Sequence, residues 1–377
     1  MKIAYDPQIF CIQNYGGVSR YYCEIASRIA RVPDVKVFIT APLHVNAYLS
    51  DVPSGIVFGF PAPKIDRFLT SNGVNYPRLA LRGLNLLISN VMLNVLKPDI
   101  IHETYYSPYR LGARRARRVL TIYDMIHEKF ASNFPLAVKT ARYKALAAER
   151  ADHVICISES TRRDVMEILG LSSDKISVIH LGFDLMNKAE AHAKEVILPT
   201  SEPFLLYVGD RGGYKNFIRL LEVYASSPHL NTAFKLVCFG GGTFRVEELK
   251  MMKALGLDNR QVIQLGGSDL LLSKLYENAS ALVYPSLYEG FGISPLEAMS
   301  HNCPVVCGRT SSIPEVVGDA GEYFDPADTE SMRVAIERVI SSDSQRKLLI
   351  ARGRERLGYF SWDRCAAETF NVYKKLA

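Results

Sequence analysis

The sequence has no long, unbroken apolar run. Its most apolar helical stretch, 79–96, is interrupted by Arg82 and by several asparagines, so it cannot span a bilayer. The opening MKIAYDPQIF has no apolar core leading to a small-residue cleavage site, and it reads as a strand rather than a secretion signal. Cysteine is sparse: seven are scattered along the chain, an odd number that argues against a disulfide framework. Cys303 and Cys307 flank a Pro-Val-Val strand without metal-ligand spacing and read as core residues. Together these features predict a reduced, cytoplasmic protein. Tryptophan occurs once, at Trp362. The cationic excess is only +6 and no nucleic-acid-binding motif accompanies it, so nucleic acid is not expected as a partner.

What is present is an ordinary globular mixture, 48% apolar and 22% charged, over 377 residues, enough for two cores. Strand-like runs KIAYD, VKVFIT, DIIHE, RRVLTIYD, DHVICIS and ISVIHLG have helical segments between several of them. After a polar, poorly patterned stretch, KAEAHAKEVILPTSEP, the series restarts with FLLYVG, FKLVCFGGG, QVIQLGG, ALVYPS and CPVVCG. Alternating strands and helices predict parallel sheets covered on both faces. The expected fold is α/β: two Rossmann-like parallel-sheet domains facing a cleft, with chemistry on loops after the strands. The boundaries are drawn at 1–195 and 196–355, leaving a C-terminal helix at 356–377.

Within YPSLYEGFGISPLEAM, 284–299, Glu289 and Glu297 flank Gly290-Phe291-Gly292. Ser294 as N-cap, Pro295 at N1 and Glu297 at N3 predict a capping box. That would explain Glu297 but not Glu289 or the glycines. The glycines permit a tight turn that exposes N–H groups beside a helix start, an arrangement favouring an anion. Carboxylates there would repel a phosphate unless they face sugar hydroxyls. A nucleotide sugar, with hydroxyls at both ends and a diphosphate between, fits that pattern.

The same segment, with Pro285-Ser286 before it and CPVV and IPEVVGDAGEYFDP after it, resembles the E-x7-E region of retaining GT-B glycosyltransferases of family 4. The likeness extends over nearly the whole chain. It implies that Glu289 binds donor-sugar hydroxyls and Glu297 the ribose, with the backbone of Gly290, Phe291 and Gly292 along the donor. In GDRGGYKN, Lys215 stands where the family has a lysine that clamps the diphosphate. The usual arginine position holds Asp210, and Arg211, one place later, is expected to take over. Fixed cations there would stabilise charge developing on the leaving diphosphate. Gly16 and Gly17, in NYGG after the first strand, resemble the family's loop that approaches the donor phosphate. In TIYDMIHEKF, Tyr123 replaces a common histidine, Asp124 matches the aspartate, and His127 follows; Asp124 and His127 are expected near the donor sugar. The resemblance also implies that the C-terminal helix, 356–377, returns to the N-terminal, acceptor-side domain.

No Asp-x-Asp occurs, so no metal or other cofactor is expected, with Lys215, Arg211 and a helix start meeting the diphosphate. NYGGVSRY, the YKN loop and YDMIHE look most like bacterial mannosyl- and rhamnosyltransferases of surface polysaccharide. They imply GDP-mannose as donor, with a UDP-sugar as the alternative. The acceptor is expected to be a saccharide, lipid-linked in O-antigen-like synthesis. Arg114, Arg115, Arg117 and Arg118, and Lys139, Arg142 and Lys144, could meet anionic headgroups at the inner membrane face or be solvated faces. Ser158-Glu159-Ser160-Thr161 reads as a helix entry. Two other classes share this two-domain α/β pattern: a non-catalytic two-domain sugar-binding protein, and a nicotinamide-dependent oxidoreductase. The latter needs Gly-x-Gly-x-x-Gly after a strand, and Gly240-Gly241-Gly242 does not continue that way.

Overall fold

Two all-parallel sheets carry the expected Rossmann-like architecture. The computed structural model describes residues 1–62, 70–71, 74–183 and 197–377. The first nine residues of the stretch read as a linker, 188–196, lie outside them. The chain divides into one unit of Met1–Glu128, Leu136–Gly182 and Ser361–Ala377, and another of Lys129–Pro135 and Phe183–Phe360.

The first unit contains, in chain order, β1 (Lys2–Tyr5), α1 (Gly17–Ile29), β2 (Lys36–His44), β3 (Val57–Pro61), a short antiparallel pair of β4 (Thr70–Ser71) and β5 (Val74–Asn75), α2 (Tyr76–Leu96), β6 (Ile100–Glu103) and β7 (Arg117–Ile122). Next come α3 (Ile126–Lys129), α4 (Ala137–Arg150), β8 (His153–Cys156), α5 (Glu159–Leu169) and β9 (Ile176–Val178). The sheet order is β3-β2-β1-β6-β7-β8-β9. Strand order reverses around β1, so loops after β1 and β6 leave a crevice at the carboxyl edge. The helix entry at Ser158 forms as expected, its hydroxyl accepting from Thr161 N–H at 3.0 Å.

The second unit contains β10 (Phe204–Val208), α6 (Phe217–Ser226), α7 (Pro228–Ala233), β11 (Lys235–Phe239), α8 (Val246–Ala254), β12 (Val262–Leu265) and α9 (Asp269–Asn278). It continues with β13 (Ala281–Tyr284), α10 (Ile293–Ser300), β14 (Val305–Gly308), α11 (Ile313–Val317), β15 (Gly321–Phe324), α12 (Thr329–Ile340) and α13 (Asp343–Leu357). Its order is β12-β11-β10-β13-β14-β15. Every residue of β10 and β13 is buried, as central parallel strands covered on both faces require.

The last helix, α14 (Trp362–Leu376), belongs to the first unit, where it packs along α1. Tyr373 reaches the sheet: its hydroxyl lies 2.5 Å from Nδ1 of His102, whose Nε2 is 2.9 Å from Thr121 Oγ1. Tyr5, Tyr21 and Tyr22 surround that imidazole. Burial without a charged partner pulls the His102 pKa down to about 3, so it is neutral in the fold.

Candidate active site

In the second sheet the order reverses around β10, and a crevice opens between the carboxyl ends of β10 and β13. The two loops that leave there are the two singled out by sequence. They are joined at the backbone, Leu287 N–H donating to Tyr214 C=O at 2.8 Å. Asn216, in the left-handed region with φ 59°, donates its amide to the carbonyls of Pro285 (3.1 Å) and Pro326 (2.8 Å). Three consecutive hydroxyls hold the far side. Thr310 donates to Leu287 C=O (3.0 Å), Ser311 accepts from Glu289 N–H (2.8 Å), and Ser312 donates to the carbonyls of Glu289 (2.8 Å) and Phe291 (3.0 Å). Sequence reading missed this Thr-Ser-Ser; its only signal was a polar cluster directly after a buried strand.

On this frame Lys215 Nζ lies 2.7 Å from Glu289 Oε1, with the side chains only 15% and 12% exposed. The ammonium stands 5.3 Å from the Tyr214 ring centre and 5.8 Å from that of Tyr284. Burial pushes the Tyr284 hydroxyl well up, and the Glu289 charge adds to the shift. The site therefore offers a desolvated cation already facing a carboxylate. An incoming anion would take the ammonium and leave Glu289 free to accept from hydroxyls.

A strap from elsewhere in the chain braces both loops. Phe130 places its ring 5.8 Å from Tyr214 and 5.9 Å from Tyr288, and Phe134 lies 5.9 Å from Tyr214. With its amide oxygen turned to the loop, Asn133 accepts from the N–H groups of Gly213 (3.1 Å) and Tyr214 (3.2 Å), at the start of the turn that carries Lys215. A Cβ at Gly213 would sit 2.6 Å from the Asn133 amide and push it off the loop.

Arg211 does not take the role expected of it. Its side chain is fully buried, and Nε bonds Glu248 at 3.1 Å. The rest of the guanidinium donates to the carbonyls of Gly240 (2.7 Å), Gly241 (3.3 Å), Gly242 (2.8 Å) and Thr243 (3.0 Å). It fastens the loop after β11 and has no reach to spare for a diphosphate. The half-exposed guanidinium at this loop belongs to Arg245, which Asp210 holds at 2.6 Å. Asp210 thus occupies the expected arginine position and recruits a different arginine.

The capping box also fails to form. α10 begins at Ile293, with Gly292 at φ 98° as N-cap, so Ser294 and Pro295 lie inside the first turn. A left-handed N-cap is open to glycine and starts the helix two residues early. Glu297 is then past the capping positions, and its carboxylate accepts from the Tyr276 hydroxyl at 2.9 Å. Tyr276 stacks on His301, which itself contacts the Glu297 carbonyl at 2.9 Å. Phe291 puts its side chain into the core, edge-on to Phe360 at 5.6 Å, and leaves only backbone for a ligand.

The remaining candidates belong to the first unit. Gly16 is the extended N-cap of α1, where a Cβ would lie 2.4 Å from Gln13 Oε1, and Gly17 is the exposed first helical residue. Asp124 accepts from Ile126 N–H at 3.0 Å. Lys144, read from sequence as either a headgroup-facing or a solvated cation, is instead fully buried. It donates to Asp124 C=O and Glu128 Oε2, both at 2.8 Å. Burial, and then Lys144, hold His127 below its usual pKa, so it is neutral at pH 7. Arg118 is a second correction to the basic surface: it is buried and paired with Glu103 at 3.1 Å, which also binds Arg150. Arg114 and Arg115 remain exposed.

Known proteins resemble the chain over nearly its whole length. Residues 15–186 match the family described as Glycosyltransferase Family 4, and residues 188–356 match Glycosyl transferases group 1. The chain is 28% identical to O-antigen chain mannosyltransferase B of Escherichia coli, over 96% of each protein. Among solved structures, sucrose-phosphate synthase from Thermosynechococcus elongatus superposes with a TM-score of 0.72 at 18% identity, covering 100% of this chain and 98% of that one. WaaG, a glycosyltransferase involved in lipopolysaccharide biosynthesis, superposes with a TM-score of 0.65 at 18% identity, covering 99% of both.

Proposed function

Because the chain belongs to the family 4 glycosyltransferases of GT-B fold, we propose that it transfers mannose from GDP-mannose, with retention of anomeric configuration, to a saccharide acceptor of bacterial surface polysaccharide synthesis. Membership sets aside the reading as a non-catalytic sugar-binding protein. The observation that carries the proposal is the Lys215–Glu289 pair at the switch point of the second sheet.

The donor diphosphate takes the Lys215 ammonium, with Arg245 as the second cation at the same loop and the N–H groups of 290–292 alongside. Arg245 thus replaces Arg211 in the clamp. Glu289, released from Lys215, accepts from hydroxyls of the transferred hexose; Glu297, oriented by Tyr276, accepts from the ribose. As the anomeric C–O bond breaks, its electron pair goes to the diphosphate oxygen, where Lys215 stabilises the charge. The acceptor oxygen forms its bond on the same face, and its proton passes to the departing phosphate oxygen. No side chain serves as nucleophile, and no metal is assigned; turnover should persist in EDTA. Among the described residues no helix is long and apolar enough to cross a membrane. A lipid-linked acceptor would be met at the inner membrane surface, with exposed Arg114 and Arg115 toward anionic headgroups.

The test is a panel of GDP- and UDP-sugars, read as thermal shift and as nucleotide released with acceptor extracts. Ligand binding to the folded state raises the midpoint. GDP-mannose should give the largest shift and release GDP. A larger shift with a UDP-hexose would replace the donor, and no shift with any nucleotide sugar would overturn the reading.

A further inference from the structure

The first unit holds a cavity of about 330 Å3 at the carboxyl ends of β1 and β6, where its own strand order reverses. Its lining includes Tyr105, Tyr106, Tyr109 and Tyr143, together with Arg82 and Lys139, and among the described residues no aspartate or glutamate. Neither cation has a carboxylate partner among the described residues. The Tyr105 and Tyr106 rings lie 4.6 Å apart, Lys139 Nζ stands 5.6 Å from the Tyr143 ring centre, and Tyr109 is exposed at the mouth.

Arg82 and Lys139 are both exposed, and two like charges on one lining draw an anion, more weakly as salt rises. Arginine meets phosphate as a fork and lysine as a point charge. Tyrosine faces cover the apolar C–H face of a pyranose while their hydroxyls meet its polar rim. The volume is at the small end for ligand pockets, suited to one sugar ring with its phosphate rather than an oligosaccharide.

We propose that this cavity receives the acceptor as a phosphate-bearing sugar, its ring on the tyrosines and its phosphate met by Arg82 and Lys139. The proposal rests on the glycosyltransferase reading and adds the acceptor's chemistry to it. Lys139 then acts on the substrate rather than on a membrane surface. The same chemistry is found in a soluble sugar phosphate and in a sugar joined to lipid through phosphate.

The test is calorimetric titration of the full chain with α-mannose 1-phosphate, mannose and inorganic phosphate, with GDP absent or saturating. A fourth probe is the octyl phosphodiester of mannose. Mannose 1-phosphate or the diester should bind with GDP present, at least tenfold tighter than mannose or phosphate. A tighter diester identifies the lipid-linked source, and a tighter monoester the soluble one. The double variant Arg82→Ala/Lys139→Ala should lose at least tenfold in that affinity, and Tyr143→Ala severalfold, with GDP affinity unchanged as the control for folding. Displacement of the sugar phosphate by GDP, equal affinity in the double variant, or no binding of either sugar phosphate beside normal GDP binding would overturn the cavity assignment alone. Failure of GDP and UDP to bind would count against the donor reading instead.

Discussion

Glu289 and Lys215 are each other's partner before any ligand arrives, and the two should fail differently when changed. If Glu289 meets the transferred sugar as proposed, Glu289→Ala should lower kcat about 100-fold or more while GDP affinity falls less than threefold; steady-state kinetics beside calorimetry would show it. Equal losses in both would mean that the carboxylate reads the nucleotide instead. Arg211 gives the opposite contrast. Removing one member of a buried ion pair typically costs about 3–5 kcal/mol because the other charge stays buried. Arg211→Met should therefore lower unfolding stability by that order, through Glu248 and the carbonyls after β11, and alter GDP binding only as folding fails. A stable Arg211→Met variant with weak GDP binding would return this arginine to the clamp.

Among the elements, the strap 129–135 is the one whose importance sequence could not show. Phe130 and Asn133 are read locally as loop residues. Only the folded chain puts that ring between Tyr214 and Tyr288, and that amide on the turn carrying Lys215. Phe130→Ala and Asn133→Ala should each weaken GDP binding severalfold, and Phe130→Leu should restore most of the loss in the first. Unchanged GDP affinity in both would make the strap a passive loop. α10 shows a second limit of the sequence: Ser-Pro with a glutamate three places after the serine fits a capping box, but a glycine with access to positive φ competes for the helix start and takes it. The strands, by contrast, were readable because parallel strands buried on both faces are near-continuous apolar runs. The glutamate and lysine loops were readable because each follows such a run. The partners of Arg211, Arg118 and Lys144 come from other elements, so local sequence left Arg211 looking available to a diphosphate and the other two looking surface-facing.

Acid stability is a property of the whole molecule with opposing contributions. His102 is neutral in the fold, with its pKa pulled to about 3, whereas an unfolded histidine titrates near 6.5. Its contribution is fully present above about pH 6.5 and is lost as pH falls, by up to about 2 kcal/mol at pH 5. Asp6 runs the other way. Burial, then the Glu103 charge, raise its pKa to about 6, so its contribution is present at low pH and is lost as pH rises through that value. Urea unfolding followed by Trp362 fluorescence should show His102→Gln losing less stability than wild type between pH 7.5 and 5, and an identical loss would exclude His102 as the source. The central claim, however, is electrostatic: a nucleoside diphosphate held by Lys215 at the carboxyl ends of β10 and β13. Titrating GDP into wild type and Lys215→Ala tests it most directly. At least a tenfold loss of affinity, about 1.4 kcal/mol, is expected with the melting midpoint preserved; GDP binding equally well to both proteins would contradict it.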